Sequence, residues 1–352
     1  MKRNRSLAIL LVALMVFAIL GTACGKKAAT PTPAPNNPPA AAPAFSVGMV
    51  TDIGGLNDQS FNASAYRGLK KLETDKISSI KVIESTKPED YDVNLSALMD
   101  QKMNLIWSIG FMMGDATDKA AKANPNQQLA IIDFVVNQPN VASVTFKEEE
   151  GSFLEGVIAG LVTKTNKIGF IGGMEGDLIG KFESGFRAGV KAVNPKAEVI
   201  VNYAGSFTDQ AKGKEIALAQ YGAGADVIYH AAGAVGIGVI AAAKERNKYV
   251  IGVDSDQNYL APDNVISSMV KGVDVAVYDI SKREANGEKL GGQHIILGLK
   301  EGGVGPSPST KWNLVPGLQD KVNAYAKLIT DGTMKVPATR AEVDAFKAPE
   351  VK

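Results

Sequence analysis

The chain has 352 residues, 45% hydrophobic and 21% charged, an ordinary globular composition but too long for one core of usual size, so two lobes are expected. Its 38 Lys and Arg stand against 37 Asp and Glu, which leaves no basic excess to hold a nucleic acid polymer. With two histidines, His230 and His294, and one cysteine, Cys24, an internal disulfide is excluded, and most metal sites and His-assisted nucleophiles go with it. No metal and no cofactor are expected.

Residues 1–23 have a basic start, an apolar run and small residues before Cys24, the pattern of an export signal peptide. The Ala23-Cys24 junction resembles the lipobox of bacterial lipoproteins, although Gly21 stands where Leu is usual and Leu20 lies one place early. The resemblance implies acylation of Cys24 and attachment to the outer face of the cell membrane. Residues 24–44 are rich in Pro and Ala and read as a solvated tether reaching about 3 Å per residue.

From Phe45 a unit recurs: a short β-rich apolar run, a Gly or Asp turn, then a segment with apolar residues three or four apart. The runs are FSVGMV, IKVIES, LIWSIG, LAIIDFVV, VASVTF, KIGFIGG, EVIVNYAG, DVIYHAA, YVIGVD and VISSMV. Strands that are apolar on both faces and alternate with helices predict parallel sheets covered on both sides, an α/β fold. Ten such units exceed one compact domain. The alternation restarts after Phe146, where KEEEGSFLEGVIAGLVTKTNK starts a long helix with three acids at its N-terminus. An N-terminal lobe over 45–146 is therefore expected, with later chain crossing back near 260–290, and 147–352 forms mainly the C-terminal lobe and tail. After Gly291 the pattern weakens to a loop and a helix around 318–329.

In open parallel sheets a ligand binds beyond the carboxyl ends of the strands. The residues expected there are Asp52, Asn57, Asp58 and Phe61 after the first run, and Asp133 after LAIID. The second half supplies Lys181 and Phe182, Phe207 and Asp209, Gly233, Asp254 and Asp256, and Lys271. Carboxylates and aromatics recur, while Arg clusters are missing. Aromatic faces stack on a flat ring, and carboxylates accept hydrogen bonds from hydroxyls. Four acids would repel a phosphate, so the set suits a nucleoside better than a nucleotide. His230 lies in an apolar run and reads as a packed core residue. No nucleophile, base and oxyanion constellation argues for an enzyme.

The stretch VGMVTDIGGLNDQSFNASAYRGLKKL, followed in order by GSFTDQAKGKEIA, GAVGIG, IGVDSDQ and SMVKG, resembles the basic membrane protein family of bacterial lipoproteins, the purine nucleoside receptor type that feeds ABC importers. The resemblance implies two doubly wound parallel-sheet lobes joined by a hinge, the type I periplasmic binding protein fold. It implies that Phe61 and Phe207 grip a purine, that Asp133, Asn57 and Asp58 read base edges, and that Asp52 holds the loop or joins them. Asp254 and Lys271 would meet the ribose, Gly233 would allow close backbone approach, and Phe182 or Phe186 would close the pocket. The expected partners are a purine nucleoside and ABC permease subunits, with the receptor a monomer. A sugar or other small polar solute on the same fold, and a secreted nucleoside hydrolase, are the alternatives.

Overall fold

The computed structural model describes residues 45–351. The expected signal peptide, the acylated Cys24 and the tether over 24–44 lie outside the described residues. Strands and helices are numbered in chain order.

Two six-stranded sheets organise the described chain. The first runs β2-β1-β3-β4-β5-β11, from β1 (Ser46–Thr51), β2 (Ser79–Ile83), β3 (Leu105–Ile109), β4 (Gln128–Ile132), β5 (Val141–Phe146) and β11 (His294–Leu297). All its pairings are parallel. The second runs β7-β6-β8-β9-β10-β12, from β6 (Lys167–Gly172), β7 (Glu198–Tyr203), β8 (Val227–Ala231), β9 (Tyr249–Asp254), β10 (Val265–Lys271) and β12 (Val304–Pro306). Only β12 is antiparallel. Burial explains the order: LIWSI of β3 and VIYHA of β8 are buried at every residue and lie inside their sheets, whereas the outer strands β2 and β7 have no buried residue.

Helices α1 (Phe61–Thr74), α2 (Asp90–Asp100) and α3 (Gly114–Ala123) connect the first sheet, and α5 (Asp177–Val193), α6 (Gln210–Gly222) and α7 (Val235–Arg246) the second. Helix α4 (Glu148–Val162) is buried along most of its length, between α5, β10 and α9 (Leu318–Thr330). Its approach to α5 depends on missing side chains. A Cβ on Gly156 would lie 2.1 Å from the Phe186 carbonyl, and one on Gly189 would lie 2.0 Å from the Phe153 carbonyl. The short α10 (Arg340–Ala345), started by a Thr339–Glu342 capping box, packs on α5.

The chain passes between the two sheets three times: from β5 to α4, from β10 to α8 (Val273–Ala285), and from β11 to β12. Helix α8 returns to the first lobe and lies against α1. Hydrogen bonds tie the crossings together, with Lys147 N–H donating to Leu297 O at 3.0 Å and Gly272 N–H to Gly303 O at 2.8 Å. Three adjacent single crossings form a natural hinge.

The tail differs from expectation. The stretch after Gly291 contributes an edge strand to each sheet, β11 and β12, where only a loop and a helix were read. His294 lies in β11 with Nε2 2.8 Å from Thr145 Oγ1. His230 is fully buried in β8, as read.

Candidate functional site

Both sheets reverse their winding between the first strand and its inner neighbour, at β1/β3 and at β6/β8. Such switch points open a crevice at the carboxyl ends of the strands. A cleft of about 550 Å³, counted to its open mouth, lies there and is walled by both lobes. From the first lobe come Asp52, Asp58, Phe61, Asn62, Phe111 and Asp133. The second lobe contributes Phe182, Phe207, Gly233, Asp254 and Lys271, with Leu178 and Ile179 at the start of α5. Nine of the thirteen residues expected at the strand ends therefore converge, and Asn57, Lys181, Asp209 and Asp256 do not line the cleft.

Asn57 does not join them and is exposed. The reason is local: the neighbouring Asp58 turns inward and accepts from the backbone N–H groups of Ser60, Asn62 and Ala63 at 2.9, 2.7 and 3.0 Å. These are donors that the start of α1 would otherwise leave bare. Asp58 is thus largely occupied in holding α1. Burial raises its pKa, and those backbone bonds oppose the rise.

Asn62, not singled out from the sequence, organises the first-lobe wall. Its Nδ2 donates to Asp52 Oδ1 at 2.8 Å and to Asp58 Oδ2 at 3.2 Å, leaving its Oδ1 buried without a partner. Asp52 also accepts from Gly54 N–H at 2.8 Å. Room for its carboxylate comes from Gly110, φ +111°, where a Cβ would lie 2.8 Å from Asp52 Oδ2. Burial pushes the Asp52 pKa up to about 6, despite the bonds from Asn62 and Gly54.

The floor is a charged cluster. The Lys271 ammonium is 2.6 Å from Asp133 Oδ2 and 3.1 Å from Glu148 Oε1, and all three side chains are almost fully buried. Three rings surround it, with centroids 5.3 Å away for Phe61, 5.0 Å for Phe146 and 5.6 Å for Phe182. Burial alone would depress the lysine pKa, but Asp133, Glu148 and Asp254 hold it above its ordinary value, so it stays charged. Asp133 and Asp254 are both raised to about 6, chiefly by burial, with Lys271 pulling against the rise. Asp133 is raised despite its ion pair because burial outweighs it, with Glu148 and Asp254 adding to the rise. Glu148 is the first residue of α4, one of the three N-terminal acids read from the sequence, and it is also the third member of this cluster, bonded to Lys181 at 3.2 Å.

Asp133 and Asp254 hold matching places, at the ends of β4 and β9, and both have left-handed backbones, φ +67° and +60°. Strain of this kind, about 1–3 kcal/mol per residue, gathers at ligand sites. Asp133 Oδ1 is buried without a partner. Asp254 Oδ2 accepts from Ser60 Oγ at 2.5 Å across the cleft.

The Phe207 ring is half-buried and meets Phe111 of the opposite lobe edge-on, with centroids 6.2 Å apart and planes at 75°. Of the two candidate rings on α5, Phe182 lines the cleft, while Phe186 is wholly buried against Tyr229 at 4.9 Å. Asp209 caps α6, and Asp256 accepts from Ser309 Oγ. Neither lines the cleft.

Comparison with known proteins places this geometry. The model of the family of PnrA-like ABC transporter substrate-binding proteins matches residues 45–340. The chain belongs to this family. It is 42% identical over 315 residues to the CD4+ T-cell-stimulating antigen of Listeria monocytogenes serovar 1/2a, covering 83% of this chain and 88% of the relative. It is 41% identical over 312 residues to the ABC transporter nucleoside-binding protein BmpA of Lactococcus lactis subsp. cremoris, covering 82% and 88%. A crystal structure of an ABC transporter solute-binding protein from Aeropyrum pernix K1 superposes with a TM-score of 0.77 at 27% identity, over 86% of this chain and 96% of that one. As a PnrA-like protein with two parallel-sheet lobes of the type I periplasmic-binding-protein kind, the chain binds a solute and works with an ABC permease. No helix among the described residues is long and apolar enough to cross a membrane.

Proposed function

We propose that this PnrA-like protein captures purine nucleosides outside the cell, held to the membrane through an acylated Cys24, and delivers them to an ABC importer. The observation that carries the reading is the cleft itself: phenylalanines from opposite lobes, Phe61 and Phe207, stand over a buried floor of carboxylates with one lysine. An aromatic face contributes about 1–3 kcal/mol per stacked base. The unpartnered Asn62 Oδ1 and Asp133 Oδ1 are acceptors for donors on a base edge. An ammonium has three donors; Asp133 takes one from Lys271 at 2.6 Å while Glu148 faces it as an ion pair at 3.1 Å, which leaves a donor for a ribose hydroxyl. Asp254 Oδ1 accepts another. Gly233, φ +56°, keeps the wall beside Phe207 free of a side chain. The nucleoside-binding name of the Lactococcus relative supports the same class. Closure about the three crossings would bury the solute without breaking any of its bonds.

Thermal-shift and calorimetric titration with inosine, guanosine and adenosine, beside ribose and arabinose, tests this. Nucleosides should stabilise the protein and pentoses should not. Stabilisation by ribose alone would favour a sugar receptor, and release of hypoxanthine from inosine would favour a hydrolase. Replacement of Cys24 by Ala should release the protein from the membrane fraction.

A further inference from the structure

Away from the ligand floor, a second set of contacts joins the lobes. Gln59 and Ser60, ahead of α1, meet the loop after β9. The Gln257 Nε2 donates to Gln59 O at 3.0 Å, Ser255 Oγ donates to Ser60 O at 3.0 Å, and the Tyr259 hydroxyl donates to Gln59 Oε1. Gln59 has a left-handed backbone, φ +55°, which is unusual for a residue with a side chain. Each of these bonds links one lobe to the other, so separation of the lobes breaks all of them.

Gln257 is fully buried, and the orientation of its amide is determined by its neighbours. Its Oε1 lies 3.0 Å from Val253 N and 3.0 Å from His230 Nε2. A backbone N–H can only donate, so the oxygen faces Val253 and the NH2 group must point to the other lobe. Burial holds His230 neutral, with its pKa lowered to about 4, and the proton on Nε2 makes the ring a second donor to the same oxygen. Two glycines make the space. A Cβ on Gly236 would lie 1.9 Å from His230 Cε1, and one on Gly252 would lie 2.5 Å from Gln257 Oε1. These glycines belong to the GAVGIG and IGVDSDQ motifs, to which ligand binding assigns no such role.

We propose that Gln257, aimed by His230 and Val253, is a preset latch that stabilises the closed lobes by receiving the Gln59 carbonyl, and so sets how long a captured solute stays. Gln257 is a positioning residue and touches no solute. His230 acts only through it.

The test uses the full chain with inosine as the probe. Gln257→Met keeps the side-chain length and removes the donor. It should raise the inosine dissociation rate about fivefold to tenfold and leave the association rate nearly unchanged, because the latch forms after encounter. His230→Phe should give a smaller rise, and the double variant should equal Gln257→Met alone, the non-additivity expected of residues acting in series. If Gln257→Met melts at a much lower temperature, Tyr259→Phe carries the test. That side chain is 59% exposed, and loss of its hydroxyl should raise the dissociation rate about twofold. Small-angle scattering of the solute-free proteins gives a readout that needs no ligand, with the variants shifted toward the open form. Dissociation rates and scattering profiles equal to wild type would overturn the latch. If wild type binds no inosine, the nucleoside reading fails by itself and scattering decides the latch.

Discussion

Replacing Phe207 with Ala isolates the base-stacking contribution. The ring is half-buried, is carried by a loop rather than a helix, and has one aromatic neighbour, Phe111, edge-on at 6.2 Å. Its removal should therefore cost the fold little. Phe61 is a poorer subject, because its ring lies 5.3 Å from the Lys271 ammonium and its loss would disturb the charged floor as well. A single plate over a purine contributes about 1–3 kcal/mol, which corresponds to about a 5- to 150-fold rise in Kd. Calorimetry with inosine at 25 °C, beside a melting curve, should show that rise with a melting temperature close to wild type. A pentose, if it binds at all, should be unaffected, since it has no face to stack. A Kd for inosine within twofold of wild type in a folded variant would refute the role of this ring.

The cleft acids make binding depend on pH. Asp52, Asp133 and Asp254 have pKa values raised to about 6 in the solute-free protein, and hydroxyl or N–H donors of a ligand favour their ionised forms. Binding should therefore release protons, and affinity should rise from pH 5 to 7.5 by about tenfold for each acid that must ionise, then level off. Calorimetry in buffers of different ionisation enthalpy checks the sign. The same acids oppose folding when ionised: their contribution to stability is fully present below their unfolded values and is lost as pH rises through about 6. Urea midpoints of the solute-free protein should move accordingly. Lys271→Met leaves Asp133 and Glu148 buried without their cation; it should abolish detectable inosine binding and lower unfolding free energy by about 3–5 kcal/mol. Gly189→Ala drives a methyl toward the Phe153 carbonyl and should cost about 1–3 kcal/mol in urea denaturation by prising α4 from α5, with little change in the cleft.

Much of this architecture was legible because parallel strands buried on both faces are continuous apolar runs. All ten runs read from the sequence are strands. What escaped were β11 and β12, edge strands of four and three residues in a glycine-rich tail, whose partners lie more than a hundred residues earlier or across a lobe crossing. The cleft was legible in outline for a different reason: strand-end loops must face it, so Asp133 and Asp254 could be placed by counting from their strands. The misplacement of Asn57 was one of local geometry. Asn57 was paired with Asp58 by adjacency, but the carboxylate that caps α1 turns in and leaves its neighbour outside. Glu148 is one of the three helix-terminal acids read from the sequence, but only the chain crossing between lobes brings it under Lys271. Asn62 stood within the SFN of the motif, at helical spacing from Asp58, and that spacing was the available signal.

The most direct measurement is a crystal structure of the protein grown with inosine. Density for the purine between Phe61 and Phe207, with the ribose toward Asp254 and Lys271, is the predicted result. A closed cleft without nucleoside, or a purine bound elsewhere with those two rings packed against protein, would contradict the account.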